Sequence, residues 1–470
     1  MRPGSGPRVL AAIFGIAVAA RLVAAFLAPP VHADQVFQYL EPAWQRLHGL
    51  GYDTWEWHDG IRSWALAGYH GGLIALLELV GVTEGRTLQK AMAVHWALAG
   101  VLLVWAASRG ARCFARGFDD VPGNEVRVER TSLIAAALIA TFPLLVSFAP
   151  QTLSENPSMI ALVWGLVLTA EAIPLGGAAA TRRAAWAGAC LSLGVCLRIA
   201  NGPLAIVPLI WLLSRRRFRE GIALSAGALA PLLLFGLLDL LTWGTFLSSF
   251  WGYLKFNLIE GRAAEFGVEP WYFYIERMHA RLPIVGAALV VVALWSARRT
   301  WPILASFACS LGYLSLTPHK EERFGVILWV YLLLAAAVAL EDLLDRTRRP
   351  RAAALGFVGG LAVVIIVGNA RLRIRDFDQS HAVRDAQAWV GKAPDATGLL
   401  LDDPYVSGGY MAFSSSLPMT VITPELLANP LYNYVVTKKG SKGAELSLAQ
   451  GFSRVHTIGS RWILKRPAAH

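Results

Sequence analysis

The chain has 470 residues, of which 55% are hydrophobic and 16% are charged, and its mean hydropathy is +0.48. These values exclude an ordinary soluble globular protein and indicate an integral membrane protein. The formal net charge of +11 could suit a nucleic-acid binder. However, the arginines lie in short groups between apolar segments, which is the pattern of cytoplasmic loops. We therefore expect a membrane protein and no nucleic-acid partner.

Apolar segments of membrane-spanning length recur through the first 370 residues. Placing every basic loop in the cytoplasm predicts about eleven transmembrane helices, with the N-terminus inside and the C-terminus outside. The predicted spans lie near residues 9–28, 88–108, 131–149, 157–176, 185–201, 203–214, 221–241, 280–297, 300–316, 324–342 and 352–370. The apolar stretch 64–82 must then lie on the outer surface as an interfacial helix.

The first outer loop, residues 29–86, begins with the sequence "APPVHADQVFQYL" and is rich in polar and aromatic residues. Asp34 stands where the first predicted span ends. On spacing alone it is an N-cap of the following helix, because Asp accepts backbone N–H bonds there. Similarly, Trp55, Trp57 and Trp64 are more typical of a membrane-interface belt than of a sugar-binding surface.

Two further stretches place charge near lipid. In "LTPHKEERF", residues 316–324, a solvated charged turn is the default interpretation. Lysine and arginine at the outer end of a helix pair can also bind a lipid phosphate. Arg198, in "CLRIANGP", lies inside or at the edge of a predicted span, where an ionisable group indicates a functional role.

The composition changes after residue 369, and residues 371–470 are predicted to form a small α/β domain outside the transmembrane domain 1–370. The segment "AVRDAQAWVGKA" has helical spacing of Val383, Ala386 and Val390. The runs "TGLLLDD", "MTVIT", "YNYVVT" and "SRWILKR" are typical of short strands. The four cysteines lack metal-type spacing and predict neither a disulfide framework nor a zinc site.

Together, several stretches resemble the dolichol-phosphate-mannose-dependent mannosyltransferases, membrane glycosyltransferases of the GT-C class that extend N-glycan precursors and GPI anchors. The stretches are "HADQVFQYLEP", "YDTWEW", "IRS", "PQTLSENPSM", "FNLIEGRAAEFGVEPWYFY" and "TPHKEERF". They cover roughly residues 1 to 345 in the family's order. The family's first-loop pattern is usually H-P-D-E, and here Ala33 replaces the proline and Gln35 the glutamate. The resemblance implies a GT-C fold and a prokaryotic relative, located in the bacterial cytoplasmic (inner) membrane with its active site outside.

The resemblance implies that Asp34 is the catalytic base of an inverting transfer of mannose from a polyprenyl-phosphate donor to a glycan or glycolipid hydroxyl. Lys320 and Arg323 are expected to neutralise the leaving lipid phosphate, with His319 as a hydrogen-bond donor and Arg198 in reserve. Glu56 and Arg62 are expected to order the loop or to contact sugar hydroxyls. The candidate substrate-binding residues are His32, Gln35, Gln38, Glu56, Arg62, Arg198, His319, Lys320, Glu322 and Arg323.

We expect no cofactor and no metal. A nucleotide-sugar diphosphate would call for a metal held by a D-x-D pair, and "LDDPY" contains adjacent Asp402 and Asp403 without that spacing. The expected partners are a polyprenyl-phosphate sugar, a glycan or glycolipid acceptor and membrane lipid.

Two alternatives stay open at the level of sequence. The same fold could use another lipid-linked sugar, such as arabinose or glucose, because pocket shape sets sugar identity. A polyprenyl-lipid or sugar transporter is a different class. Transporters usually place charged residues near the bilayer midplane on paired broken helices, whereas here the charges gather in outer loops.

Overall fold

A computed structural model describes residues 6–27, 32–117, 125–281, 285–346, 356, 360 and 374–467. Contacts divide the chain into two compact units. The first, which we call the helical unit, comprises Met1–Ala24, Trp96–Ala149 and Ser154–Leu372. The second, the loop–sheet unit, comprises Ala25–His95, Pro150–Leu153 and Arg373–His470. The predicted domain boundary at residue 370 falls outside the described residues.

The helical unit is built from apolar helices, which satisfy every backbone hydrogen bond internally and therefore suit a lipid environment. Its core includes the helix Val326–Arg346, whose residues 326–339 are all buried. The described helices that lie wholly or mainly in this unit are Gly6–Leu27, Val101–Arg116, Glu125–Thr141, Pro143–Phe148, Glu155–Ala172, Gly177–Leu197, Gly202–Ser214, Phe218–Trp243, Ser248–Leu254, Phe273–Arg281, Val285–Trp295, Ala297–Leu316 and Val326–Arg346.

Helices coincide with most of the predicted spans, but the number eleven is not confirmed. Four helices among the described residues are long and apolar enough to cross a membrane, namely Gly6–Leu27, Gly85–Arg116, Phe218–Trp243 and Glu322–Leu344. Two shorter apolar helices are Ile199–Ser214 and Gly286–Trp295. The predicted span 352–370 lies outside the described residues, apart from positions 356 and 360.

The loop–sheet unit contains the first outer loop and the C-terminal residues. Its loop helices are Ala33–Gln35, Glu41–His48, Trp55–His58 and Trp64–Leu79, with a π-helix at Val36–Leu40. The helix Gly85–Ala99 leaves this unit at Trp96. The C-terminal helices are Ile374–Gly391, Gly409–Phe413, Pro424–Ala428 and Lys442–Ala449.

The sheet has five strands, β1 (Leu399–Leu401), β2 (Met419–Val421), β3 (Tyr434–Lys438), β4 (Ser453–Ile458) and β5 (Arg461–Lys465). The strand order is β2-β1-β3-β5-β4. β1 pairs in parallel with β2 and β3, and β5 pairs antiparallel with β3 and β4. The predicted helix face of Val383, Ala386 and Val390 is buried, so the expected small α/β architecture is confirmed.

The first outer loop and the C-terminal residues share one hydrophobic core. Leu40 and Trp44 pack in the same buried cluster as Val390, Leu399 and Phe413. Burial of apolar surface favours such packing by about 25 cal/mol per Å². The loop that carries Asp34 is therefore part of a folded body and not a loose connection.

Candidate functional site

Asp34 lies in the first turn of a short helix that follows the first predicted span. The helix Ala33–Gln35 is capped by His32, whose Nδ1 accepts a hydrogen bond from the Asp34 backbone N–H at 3.1 Å. The N-cap interpretation of Asp34 is therefore wrong, because the adjacent histidine has that role. The Asp34 carboxylate is one-quarter exposed and lies 3.7 Å from His32 Nδ1.

Two glutamines extend the same segment. Gln35 is completely buried, and neither amide atom has a hydrogen-bond partner among the described residues. Leaving such a group unsatisfied costs roughly 1–3 kcal/mol, which makes Gln35 a candidate substrate contact. Gln38 is different, because its Nε2 donates to Glu56 Oε1 at 2.9 Å. Both side chains precede or lie in the π-helix Val36–Leu40, an irregularity often found at functional sites.

Glu56 is the centre of a buried polar network within the loop. Its carboxylate accepts hydrogen bonds from Gln38, from Thr54 Oγ1 at 3.1 Å and from Arg62 Nη2 at 2.9 Å. Burial lowers the pKa of Arg62, but the negative charges of Glu56 and, more weakly, Asp34 raise it above its ordinary value. Arg62 therefore stays cationic close to Asp34, and Glu56 orders the loop.

The loop tryptophans differ in burial, since Trp55 and Trp64 are half-buried while Trp57 is buried. Trp57 is buried and its ring centroid lies 4.6 Å from that of Trp64. Trp57 therefore packs inside the loop–sheet unit, and the membrane-interface belt stays a prediction for Trp55 and Trp64.

A second polar cluster lies within the helical unit and joins residues far apart in sequence. Glu155 begins the helix Glu155–Ala172, and its Oε1 lies 3.1 Å from both Arg198 Nη1 and Arg323 Nη1. Both guanidinium groups also lie over the Phe324 ring, at 4.4 and 4.9 Å from its centroid. Cation–π contacts of this kind hold arginines in fixed orientations.

Arg198 reaches this cluster because a helix ends just before it. The helix Gly177–Leu197 ends at Arg198, whose backbone is extended, and a short 3-10 turn, Ile199–Asn201, follows. Pro203 then occupies the first turn of the helix Gly202–Ser214, a position where its missing N–H is tolerated. The sequence predicted Arg198 inside or at the edge of a span, and in the structure it directly follows the last residue of a helix.

The "HKEERF" residues have different local roles. Lys320 Nζ donates to three backbone carbonyls, those of Glu269, Thr317 and Pro318, at 2.8, 2.5 and 3.5 Å. Its three N–H donors therefore stabilise the turn. Glu322 begins the 3-10 helix Glu322–Gly325 and is half-buried.

Glu321 connects Arg323, a predicted cation, with His319, a predicted hydrogen-bond donor. Arg323 binds it in a bidentate manner, with Nε 2.7 Å from Oε2 and Nη2 2.9 Å from Oε1. His319 Nε2 lies 3.2 Å from Glu321 Oε1, and this hydrogen bond raises the pKa of His319 although partial burial lowers it. The imidazole is therefore protonated over a wider pH range than an ordinary histidine.

Sequence reasoning missed two buried acidic residues. Glu155 and Glu41 both lie in the stretches that carry the family resemblance, "PQTLSENPSM" and "HADQVFQYLEP". The available signal was a carboxylate within or beside an apolar segment, where burial without a partner is expensive. Within the described residues, no three His, Cys, Asp or Glu side chains are grouped as a metal site requires.

The chain matches a known family over most of its length. The sequence model of the Alg9-like mannosyltransferase family matches residues 12–375. This range includes Asp34, the Glu56 network and the Glu155 cluster.

Individual relatives agree with this match. The chain is 27% identical over 406 residues to GPI mannosyltransferase 3 of Yarrowia lipolytica, covering 83% of this chain and 72% of the relative. It is 25% identical over 356 residues to alpha-1,2-mannosyltransferase alg9 of Schizosaccharomyces pombe, covering 70% of this chain and 58% of that protein.

Solved structures show the same fold. ArnT from Cupriavidus metallidurans, bound to undecaprenyl phosphate, superposes with a TM-score of 0.63 at 12% identity, covering 99% of both chains. The Archaeoglobus fulgidus oligosaccharyltransferase superposes with a TM-score of 0.54 at 14% identity, covering 92% of this chain and 68% of that one. These likenesses confirm the predicted GT-C architecture, and the family match confirms the predicted relationship: the chain belongs to the Alg9-like mannosyltransferase family.

Proposed function

We propose that the protein transfers mannose from a polyprenyl-phosphate donor to a hydroxyl of a glycan or glycolipid on the outer face of the membrane. The observation that carries the proposal is the family match over residues 12–375, which contains both the Asp34 loop and the arginine cluster around Glu155. Two structures of the same fold contain lipid phosphates, undecaprenyl phosphate in ArnT and a dolichol-phosphate in the archaeal oligosaccharyltransferase, and they support a lipid-linked donor.

Asp34 is the proposed general base. Its carboxylate is partly exposed, does not cap the helix, and lies in the electrostatic field of Arg62. A carboxylate with part of its surface open can receive a proton from an acceptor hydroxyl that docks beside it. General-base assistance typically contributes about 10²–10⁴-fold in rate.

Arg198 and Arg323 are the proposed ligands of the donor phosphate. Guanidinium groups suit a monophosphate because they offer several N–H donors in one plane. Arg323 already makes a bidentate pair with Glu321, whereas within the described residues Arg198 pairs with Glu155 Oε1 alone. The geometry therefore favours Arg198 over Lys320, whose donors bind backbone carbonyls.

The proposed reaction forms one bond and breaks one. The acceptor oxygen attacks C1 of the sugar, its proton passes to the Asp34 carboxylate, and the C1–O bond to the lipid phosphate breaks. The electron pair of that bond leaves on the phosphate, whose developing charge preorganised arginines stabilise. Attack from the opposite face inverts a β-linked donor to an α-linked product. No step requires a metal, so we propose that none is needed.

Transfer assays with the purified full-length protein test this proposal. Polyprenyl-phosphate mannose should support transfer to glycan or glycolipid acceptors, and excess EDTA should leave the rate unchanged. GDP-mannose alone should give no product. Arabinose- and glucose-linked polyprenyl phosphates complete the donor panel. Preference for either of those donors, or loss of activity with EDTA that Mg²⁺ or Mn²⁺ restores, would contradict the proposal.

A further inference from the structure

Glu41 is a buried carboxylate for which the proposed reaction has no use. It is completely buried, and its Oε1 accepts the backbone N–H groups of Tyr52 at 3.1 Å and Tyr410 at 2.8 Å. Its Oε2 accepts the backbone N–H of Met411 at 3.3 Å. Tyr52 belongs to the first outer loop, while Tyr410 and Met411 belong to the C-terminal residues. One side chain thus joins segments nearly 370 positions apart.

Gly409 shows how closely the two segments approach. Its φ is +63°, a left-handed conformation that side chains rarely adopt. A Cβ atom at this position would also lie 2.1 Å from Glu41 Oε2. Glycine is therefore required both for the backbone conformation and for space beside the carboxylate.

Other contacts also join the first outer loop to the C-terminal residues. Tyr52 OH donates to the Met419 backbone oxygen at 2.5 Å, and the Phe37 ring lies 5.7 Å from that of Tyr405. Gly85 N–H donates to Ser414 Oγ at 2.9 Å. Together with the Glu41 hydrogen bonds, these contacts join the first outer loop to the C-terminal residues.

Glu41 also lies on the same helical segment as Asp34. The chain runs without interruption from the helix Ala33–Gln35 through the π-helix Val36–Leu40 into the helix Glu41–His48. Backbone hydrogen bonds link these turns, Val36 N–H to Ala33 O and Glu41 N–H to Val36 O, so we expect a displacement of Glu41 to displace Asp34. A base must stay within hydrogen-bond reach of the proton it accepts, so small shifts are costly in rate.

Packing alone does not explain a carboxylate at this position. Leu40 and Trp44 already supply the apolar contacts to the shared core. Burial raises the pKa of Glu41 to about 7, even though the N–H groups of Tyr410, Met411 and Tyr52 lower it. An apolar residue at this position would avoid the cost of desolvating a carboxylate. What the carboxylate adds is directional hydrogen bonding to the C-terminal segment.

We propose that Glu41 is a positioning residue that locks the Asp34 helix onto the C-terminal domain, making that domain a structural part of the catalytic apparatus. The catalytic half of this inference rests on the proposed function. The structural half, that Glu41 holds the helix, is independent of the donor.

Four variants of the full-length protein test the attachment of the Asp34 helix to the C-terminal domain by Glu41, which we call the lock. Glu41→Gln keeps the shape but turns an NH₂ group toward a backbone donor. Gly409→Ala introduces a clash with Glu41 together with backbone strain. Gly440→Ala is its matched control, because Gly440 has φ +71° and open space around it. Glu84→Gln is the second control, since Glu84 also joins the loop to the C-terminal residues, through an exposed pair with Lys392.

The readouts are hydrogen exchange of residues 33–48 and steady-state transfer from polyprenyl-phosphate mannose. Glu41→Gln and Gly409→Ala should each speed exchange of this segment by about tenfold or more and lower kcat by at least tenfold, with donor KM within about twofold of wild type. Both controls should stay within about twofold of wild type in every measurement.

The outcomes separate the structural half of the inference, that Glu41 holds the helix, from the catalytic half, that this positions the base. Unchanged exchange in Glu41→Gln and Gly409→Ala overturns the lock. Faster exchange with unchanged kcat overturns positioning of the base. If Glu41→Gln does not fold, the comparison of Gly409→Ala with Gly440→Ala still decides. Absence of transfer by the wild-type protein refutes the proposed function instead, and the exchange data continue to report on the lock.

Discussion

At the residue scale, two guanidinium groups and one carboxylate define the proposed phosphate site. Arg198 and Arg323 both lie 3.1 Å from Glu155 Oε1, and an arginine held in this way needs no reorientation when an anion arrives. The donors of Lys320, in contrast, are already used within the turn. Its charge is conspicuous in the "HKEERF" run, yet its ammonium group is bound to carbonyl oxygens of the turn.

The role of Asp34 can be tested by removing its charge. Asp34→Asn should lower kcat by about 10²-fold or more with donor KM little changed, because the amide cannot accept a proton under these conditions. Since His32 and not Asp34 caps the helix, the variant should fold normally. Asp59→Asn, an exposed position in the same loop, is the control and should retain full activity. Near wild-type turnover by folded Asp34→Asn would exclude Asp34 as the base and direct attention to Glu56.

His319 predicts a pH dependence of donor binding. The hydrogen bond to Glu321 raises the pKa of His319. The protonated imidazolium, which can bind phosphate, is therefore fully present below the ordinary pKa of histidine. It is lost as pH rises through the raised pKa. Donor KM should therefore increase with pH across that interval. His319→Gln should lack this step and show a KM that is flat over the same interval. A wild-type KM that falls with rising pH would show that the imidazolium does not contact the donor.

At the scale of elements, the irregular places in the helices position the site residues. The helix break at Arg198 and the π-helix after Gln35 each depart from regular α-helix next to a candidate residue. The loop between His48 and Trp64 depends instead on the Glu56 network. Such a network orders an otherwise irregular backbone only while all its members are bonded.

Glu56→Ala should therefore destabilise the loop–sheet unit. The substitution leaves Arg62, Gln38 and Thr54 without a shared acceptor, at a cost on the order of 1–3 kcal/mol. Thermal unfolding of the purified protein should show a clearly lower midpoint. Glu84→Ala removes an exposed ion pair and should change the midpoint little. Equal midpoints for the two variants would refute a structural role for the Glu56 network.

At the scale of the whole molecule, membrane topology follows from the basic loops. The sequence predicts eleven spans, so we expect a reporter fused after His470 to be external and one inserted between residues 117 and 125 to be cytoplasmic. Labelling of single cysteines at Lys439 and Arg116, two exposed positions, provides an independent check. If both positions label from the same side, the predicted number of spans is wrong and the outward orientation of Asp34 must be revised.

The sequence alone determined the properties that depend on local pattern. Apolar runs and basic loops indicated a membrane protein, helical spacing located the buried face of Val383, Ala386 and Val390, and the first-loop and "HKEERF" stretches identified the family. Strand β4 was missed because most of its residues are exposed at the sheet edge, so it has no alternating apolar face. Patterns of this kind report only on a residue's immediate neighbours in the chain.

Only the tertiary structure decided which distant residues meet. Glu155 joins Arg198 to Arg323, and Glu41 joins the first outer loop to Tyr410 and Met411. These pairings depend on helix breaks, on close approach at Gly409 and on packing in a shared core, none of which has a local signature. A buried carboxylate must find partners wherever the fold provides them, and for Glu41 the fold provides them almost 370 residues away.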